Sequence, residues 1–188
     1  NPLGVASGYL ELAEETNSPA YFEKTASALD RMEVLVDDLL TLSKAGTELE
    51  DTSACRLCDV AHDAWQYVET ARAALHVDAE LPTVDGDESL LTELFENLFR
   101  NAVEHGGDDV TVTLGALTDR AGFYVADDGP GIPPEQREEV FEYGYTSCTD
   151  GTGFGLSIVA DLADAHGWAV DLTESASDGV RFEFAFSG

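Results

Sequence analysis

Positive charge is what this chain has least of. Its 188 residues carry nine lysines and arginines together against 38 aspartates and glutamates, a formal net charge of −29, and Lys24 and Lys44 are its only lysines. A surface of that sign repels nucleic-acid phosphates and anionic lipid headgroups, which excludes partners recognised through either. Cysteine is scarce too: Cys55, Cys58 and Cys148 make an odd set that supports no disulfide framework and fits a reducing compartment. Cys55 and Cys58 have Cys-x-x-Cys spacing, but no second pair completes a zinc site, and His62 and Cys148 are the further ligands that could be invoked. Two free thiols on a helix is the simpler reading. No apolar run reaches the about 20 residues that cross a bilayer, and no signal-peptide pattern opens the chain. The expectation is a soluble, cytoplasmic polypeptide, with any membrane tether in segments that are not in this chain.

Apolar residues make up 44% of the sequence, enough for a real core. The acids are spread over every segment, so no acidic tail accounts for the charge. Self-repulsion at low ionic strength works against compactness and salt screening relieves it, which reads as adaptation to a high-salt cytoplasm.

Residues 2–15 carry Leu3, Ala6, Leu10 and Ala13 on one helical stripe. Thr16-Asn17-Ser18-Pro19 is a turn with Ser18 as N-cap candidate and proline at the first helical position. A second helix then runs to residue 44. Phe22, Thr25, Leu29, Met32, Val36 and Leu39 follow a strict heptad alternation, widened by Ala28, Leu35 and Leu42. Two helices cannot cover so much apolar surface by themselves, so the spacing predicts a hairpin that pairs with a second copy into a four-helix bundle. Residues 46–53 lack periodicity and read as a linker between a hairpin (1–45) and a second domain (54–188).

In that second domain the pattern predicts a helix over 56–73, a short strand near 76–80, and a long helix over 87–105. Strands follow at 110–117 and 122–126, then a helix at 155–165 and a closing hairpin of 168–174 with 180–186. Strands and helices mixed in this order predict helices on one face of a mixed sheet.

Three motifs carry the chemistry. On the long helix Asn97 and Asn101 lie one turn apart, opposite the apolar positions Leu91, Leu94, Phe95, Leu98 and Ala102. A neutral amide oxygen suits hard Mg²⁺. Asp127-Asp128-Gly129-Pro130-Gly131-Ile132 ends a strand in a tight glycine turn, and an ionised carboxylate there accepts hydrogen bonds and donates none. Gly151-Thr152-Gly153-Phe154-Gly155-Leu156 opens a helix, whose unpaired N–H groups favour phosphate. A Rossmann or P-loop site is excluded, because there is no Gly-Lys-Ser/Thr ending and the loop follows no first strand.

Together, in this order, the motifs resemble the N, G1 and G2 boxes of the ATP-binding domain of sensor histidine kinases, in the Bergerat-fold superfamily. The resemblance covers residues 54–188 and implies an α+β protein: a dimerising helical hairpin followed by a Bergerat-type α/β sandwich. It implies that Asn101 holds the Mg²⁺ bridging the nucleotide phosphates, with Asn97 beside it. It implies that Asp127 selects the adenine amino group, with Gly129, Gly131 and Ile132 shaping the turn. Gly151 to Leu156 would then meet the phosphates. Relatives place a basic residue where Glu104 stands, so the phosphate charge falls to His105, Arg100 or the metal. Val140, Phe141 and Tyr145 resemble the aromatic box at the edge of the nucleotide lid, whose small polar stretch is 146–150.

Asn1-Pro2-Leu3 matches the end of the H box, in which the acceptor histidine lies four residues before the asparagine. None of His62, His76, His105 and His166 falls on the hairpin, so the expectation is that the acceptor lies upstream and that Asn1 helps orient water for dephosphorylation of the partner. The implied reaction passes the ATP γ-phosphoryl to a histidine and then to an aspartate of a response-regulator receiver domain. The rivals are an ATPase of the same superfamily, which would need a glutamate where Asn97 stands, and a nucleotide-gated dimerisation module without kinase activity.

Overall fold

The computed structural model describes residues 2–45, 49, 52–70, 72–78, 80–107, 109–145 and 153–186. Helix α1 (Pro2–Thr16) ends where Asn17 enters the left-handed region at φ 48° and returns its N–H to the Ala13 carbonyl at 2.8 Å. Helix α2 (Pro19–Ala45) packs antiparallel to α1 through small side chains: Ala6, Ala13, Thr25 and Ala28 are buried between them. Tyr9 and Tyr21 stack at 6.2 Å beside the turn. The large members of the heptads point elsewhere. Leu3, Leu10, Phe22, Leu29 and Val36 are all exposed, and so are Val5, Leu12 and Leu40. The side chains of Leu39 and Leu42 lie outside the described residues.

The rest is an α+β sandwich. A five-stranded sheet has the order β2 (Ala74–Val77), β4 (Thr111–Ala116), β5 (Gly122–Asp127), β7 (Val180–Phe186), β6 (Trp168–Glu174). Only β2 runs parallel to its neighbour; the other pairs are antiparallel. One face carries α3 (Leu57–Trp65), α4 (Glu88–Gly106) and α5 (Gly155–Ala165). Phe95 of α4, stacked on Phe99, meets Phe123 of the sheet, which stacks on Phe184 at 4.7 Å, and Ile158 and Leu162 of α5 belong to the same core. No helix among the described residues is long and apolar enough to cross a membrane.

The departures from expectation lie between the hairpin and α4. Two short strands, β1 (Ser53–Arg56) and β3 (Thr83–Gly86), form a separate antiparallel pair. Their four residues give no run long enough to show a period, and Ser53 and Arg56 belong to this pair instead of to a linker and a helix start. Helix α3 stops at Trp65, well short of 73, because its buried face of Leu57, Val60, Ala61 and Ala64 ends there; Tyr67 beyond it is exposed. Strand β2 sits two residues earlier than the pattern suggests, set by its parallel register with β4, Ala74 opposite Thr111. Cys55 is therefore on a strand and buried, while Cys58 is on α3; both are free thiols, and among the described residues no three His, Cys, Asp or Glu side chains gather as a metal site.

Candidate functional site

Helix α4 begins with Asp87, whose Oδ1 accepts from the N–H groups of Ser89 and Leu90, so its start is capped and its phase is fixed. From that phase Leu94, Phe95 and Leu98 enter the core, while Asn101 and His105 face a cavity of about 420 Å³. The cavity lies between α4, the turn after β5 and the start of α5. Asn97, Asp127, Gly131, Ile132, Tyr145, Gly153, Gly155 and Leu156 line it as well. Gly129 and Phe154 are not in the wall. Gly129 donates its N–H to Asp127, and the Phe154 carbonyl accepts from Ser157 Oγ and the Ile158 N–H at the start of α5. Asn1, Gly151 and Thr152, together with 146–150, lie outside the described residues.

Asn97 is not on an open polar stripe, as the sequence pattern suggested. It is only 6% exposed, its Nδ2 donates to the Glu93 carbonyl at 2.9 Å, and a Cβ on Gly155 would sit 3.3 Å from its Oδ1. With the amide nitrogen committed to the helix, the oxygen is aimed at the start of α5. Glu93 is also bonded through its carboxylate to the Thr41 hydroxyl of α2, and Val34 of α2 reaches the cavity wall, so the hairpin touches the site directly.

Asp127 is held through both its side chain and its backbone. Its Oδ1 accepts from the N–H groups of Gly129 at 2.9 Å and Val180 at 3.2 Å, and its carbonyl accepts from Ser175 Oγ at 2.7 Å. Both backbone donors converge on one oxygen, which leaves Oδ2 to the cavity. The β6–β7 turn clamps this arrangement: a Cβ on Gly179 would lie 2.2 Å from the Asp127 carbonyl oxygen, and one on Gly131, at φ 74°, would lie 2.8 Å from the Asp178 carbonyl oxygen. The turn was legible as a hairpin signal, but nothing in the sequence tied Ser175, Gly179 or Val180 to the site.

Burial raises the Asp127 carboxyl above the ordinary aspartate range, and the Val180 and Gly129 N–H groups oppose that rise without cancelling it. The sign follows: what Asp127 contributes to stability is fully present below the ordinary aspartate pKa and is lost as pH rises through the raised folded value. Glu96, beside Arg100 at 4.0 Å, is also raised, again chiefly by burial.

On the far side of the cavity Tyr145 Oη donates to Gln136 Oε1, and the Gly144 N–H donates to the Gly153 carbonyl at 2.9 Å. Residues 144 and 153 are thereby joined across the stretch between them. Gly153, at φ 77°, has no room for a Cβ against the Gly144 backbone.

A neutral-amide helix face, a half-buried aspartate pinned by backbone donors, and the open N-terminus of a helix thus share one cavity. The family model for histidine kinase-, DNA gyrase B- and HSP90-like ATPases matches residues 86–187, and that for the His kinase A phospho-acceptor domain matches residues 1–48. The chain belongs to the sensor histidine kinases. This chain is 33% identical over 201 residues to the sensor protein QseC of Escherichia coli K12, covering 96% of this chain and 43% of that protein. It spans about two fifths of the curated relatives it matches. Full-length ShkA, solved in complex with AMPPNP, superposes over 100% of this chain and 47% of its own with a TM-score of 0.68 at 27% identity. The Acinetobacter baumannii histidine kinase AdeS superposes over 100% of this chain and 96% of its own with a TM-score of 0.77; at 17% identity that likeness speaks to fold alone.

Proposed function

We propose that this chain is the catalytic core that binds Mg-ATP and passes its γ-phosphoryl to a histidine, for relay to an aspartate on a response-regulator receiver domain. The observation that carries the reading is Asp127: a half-buried carboxylate in the wall of a cavity of nucleotide size, with one oxygen held by two backbone amides. Oδ2 then accepts from the adenine amino group, while the neutral start of α5 receives the phosphates. ShkA was solved with an ATP analogue, which supports the same ligand here. Asn101 presents an amide oxygen between those two ends and suits Mg²⁺, which would polarise the phosphoryl group; phosphate oxygens and water complete its shell. None of the four histidines lies on α1 or α2. The hydrolytic rival finds no carboxylate at 97, only a buried amide. Calorimetric titration should find that Asn101→Ala loses the Mg²⁺-dependent part of ATP affinity, on the order of tenfold, with the Mg²⁺-free affinity unchanged. Equal Mg²⁺ dependence in the two proteins would remove Asn101 from the metal.

Residues 1–45 form the dimerisation unit and 54–188 the ATP-binding unit in this reading, and a second copy covers the exposed large apolar side chains among the described residues of the hairpin. Membrane tethering and the receiver partner belong to the whole protein. The charge of −29 points to a salt-rich cytoplasm. At about 1 M salt the screening length falls to about 3 Å, so neighbouring surface acids cease to repel. In molar KCl the chain should sediment at twice the monomer mass and melt well above its low-salt midpoint. A midpoint that does not rise with KCl rules out the halophilic reading, and a monomer in molar salt rules out the bundle.

A further inference from the structure

In a chain of net charge −29, a polyphosphate is repelled by almost every ionised side chain it meets. Among the described residues the cavity wall carries two basic side chains, Arg100 and His105. They stand at different ends. His105 acts electrostatically on the Asp127 carboxyl, at the end where a Cβ on Gly129 would meet the Gly106 Cα at 2.8 Å. Side chains on an α-helix slope toward its N-terminus, and Arg100 follows that slope: its Nη2 lies 4.0 Å from Glu96 Oε2, one turn back. The guanidinium is therefore level with Asn97, roughly 13 Å along α4 from Gly106. That is the end where Asn97 faces Gly155 and the start of α5.

Glu96 holds this guanidinium loosely. A separation of 4.0 Å is an ion pair beyond hydrogen-bond reach. Burial raises the Glu96 carboxyl above the ordinary glutamate range, with Arg100 opposing the rise and Glu93 adding to it, so the partner's own charge is costly where it stands. The Arg100 side chain keeps 40% of its exposure, which leaves it room to turn. A guanidinium presents a planar fork of donors that matches two oxygens of one phosphate, whereas the neutral N–H groups that open α5 supply no net charge.

We propose that Arg100 is a specificity-determining residue: it exchanges Glu96 for the terminal phosphate of bound ATP and so makes the site prefer a triphosphate to a diphosphate. The inference rests on the ATP reading above and deepens it. Adenine recognition by Asp127 is common to ATP and ADP; Arg100 supplies the contact that only the longer nucleotide reaches.

Calorimetric titration with a non-hydrolysable ATP analogue and with ADP, each with Mg²⁺, tests this. Arg100→Gln should lose affinity for the analogue on the order of 20-fold and for ADP less than about threefold, and the retained ADP binding shows that the variant is folded. Arg56→Gln, the same change of charge on an exposed arginine outside the cavity, should bind both nucleotides like the unaltered chain. Glu96→Gln releases the guanidinium and should bind the analogue roughly threefold tighter, a gain that vanishes when Arg100 is also glutamine. Equal losses for the two nucleotides in Arg100→Gln overturn the proposal and leave ATP binding standing. So does a Glu96→Gln protein that binds no tighter, or one that keeps its gain without Arg100. An unaltered chain that binds neither nucleotide overturns the ATP reading and this one with it.

Discussion

Asp127→Asn should lower ATP affinity on the order of 100-fold, about 2.7 kcal/mol, without lowering thermal stability at neutral pH. The Gly129 and Val180 N–H groups need an acceptor, so the new amide must turn its oxygen to them and its NH₂ group into the cavity. That NH₂ meets the adenine amino group donor to donor. A guanine carbonyl in the same place would instead be accepted, so the ratio of ATP to GTP affinity should fall further than ATP affinity alone. Stability follows the opposite logic. Burial raises the Asp127 pKa, so the ionised form is the costly one in the folded state, and a neutral amide removes that cost. In the unaltered chain ATP affinity should decline as pH falls through that raised value, at higher pH than an ordinary aspartate would titrate. Titrations with both nucleotides from neutral pH downward read all of this. Unchanged ATP affinity in the variant would take Asp127 out of base recognition.

Gly179→Ala should be strongly destabilising. Its Cβ would lie 2.2 Å from the Asp127 carbonyl oxygen and 2.7 Å from Oδ1, and the obstruction is backbone, which cannot rotate away. The β6–β7 turn must lift off, breaking the Ser175 bond to the Asp127 carbonyl and the Val180 bond to its carboxylate. Overpacking of this kind costs about 3 kcal/mol, which lowers the melting temperature by roughly 6–12 °C in a chain of this size. Gly8→Ala is the contrast: nothing lies within 4 Å of its Cβ, and it sits inside α1, where alanine favours helix. Melting curves of the two variants should move in opposite directions. If Gly179→Ala melts with the unaltered chain, the clamp is not tight.

The parts of the site legible in sequence were those whose residue type is tied to one local conformation. The alternation of β6 and β7 gave their bounds, the 3.6-residue period gave α5, and Asp127 was marked by the glycines beside it. Asn101 and Asn97 were found by spacing, but spacing assigns only an angle on the helix. It could not tell that α5 comes down over Asn97 and buries it, because that depends on Gly155, 58 residues later in the chain. Val180 and Ser175 were invisible for a related reason: they act through a backbone N–H and a hydroxyl that any sequence could supply there, and only the β5–β7 pairing brings them to Asp127. The β1–β3 pair was missed because four-residue strands are stabilised by each other more than by any pattern of their own.

The order of the elements along the chain gives the Asp127 clamp a consequence for synthesis. Asn97, Asn101 and Asp127 are all translated before the β6–β7 turn, yet the oxygen that would read the base is not fixed until Val180 has docked against β5. A nascent chain stalled after α5 would carry Asn97, Asn101 and Asp127, the side chains proposed to meet the metal and the base, and should still hold nucleotide poorly. Binding competence therefore arrives late and abruptly. Once it arrives, a ligand that binds only the finished fold stabilises it in proportion to its concentration, so cellular nucleotide favours chains whose last described strand is in place over those in which it is not.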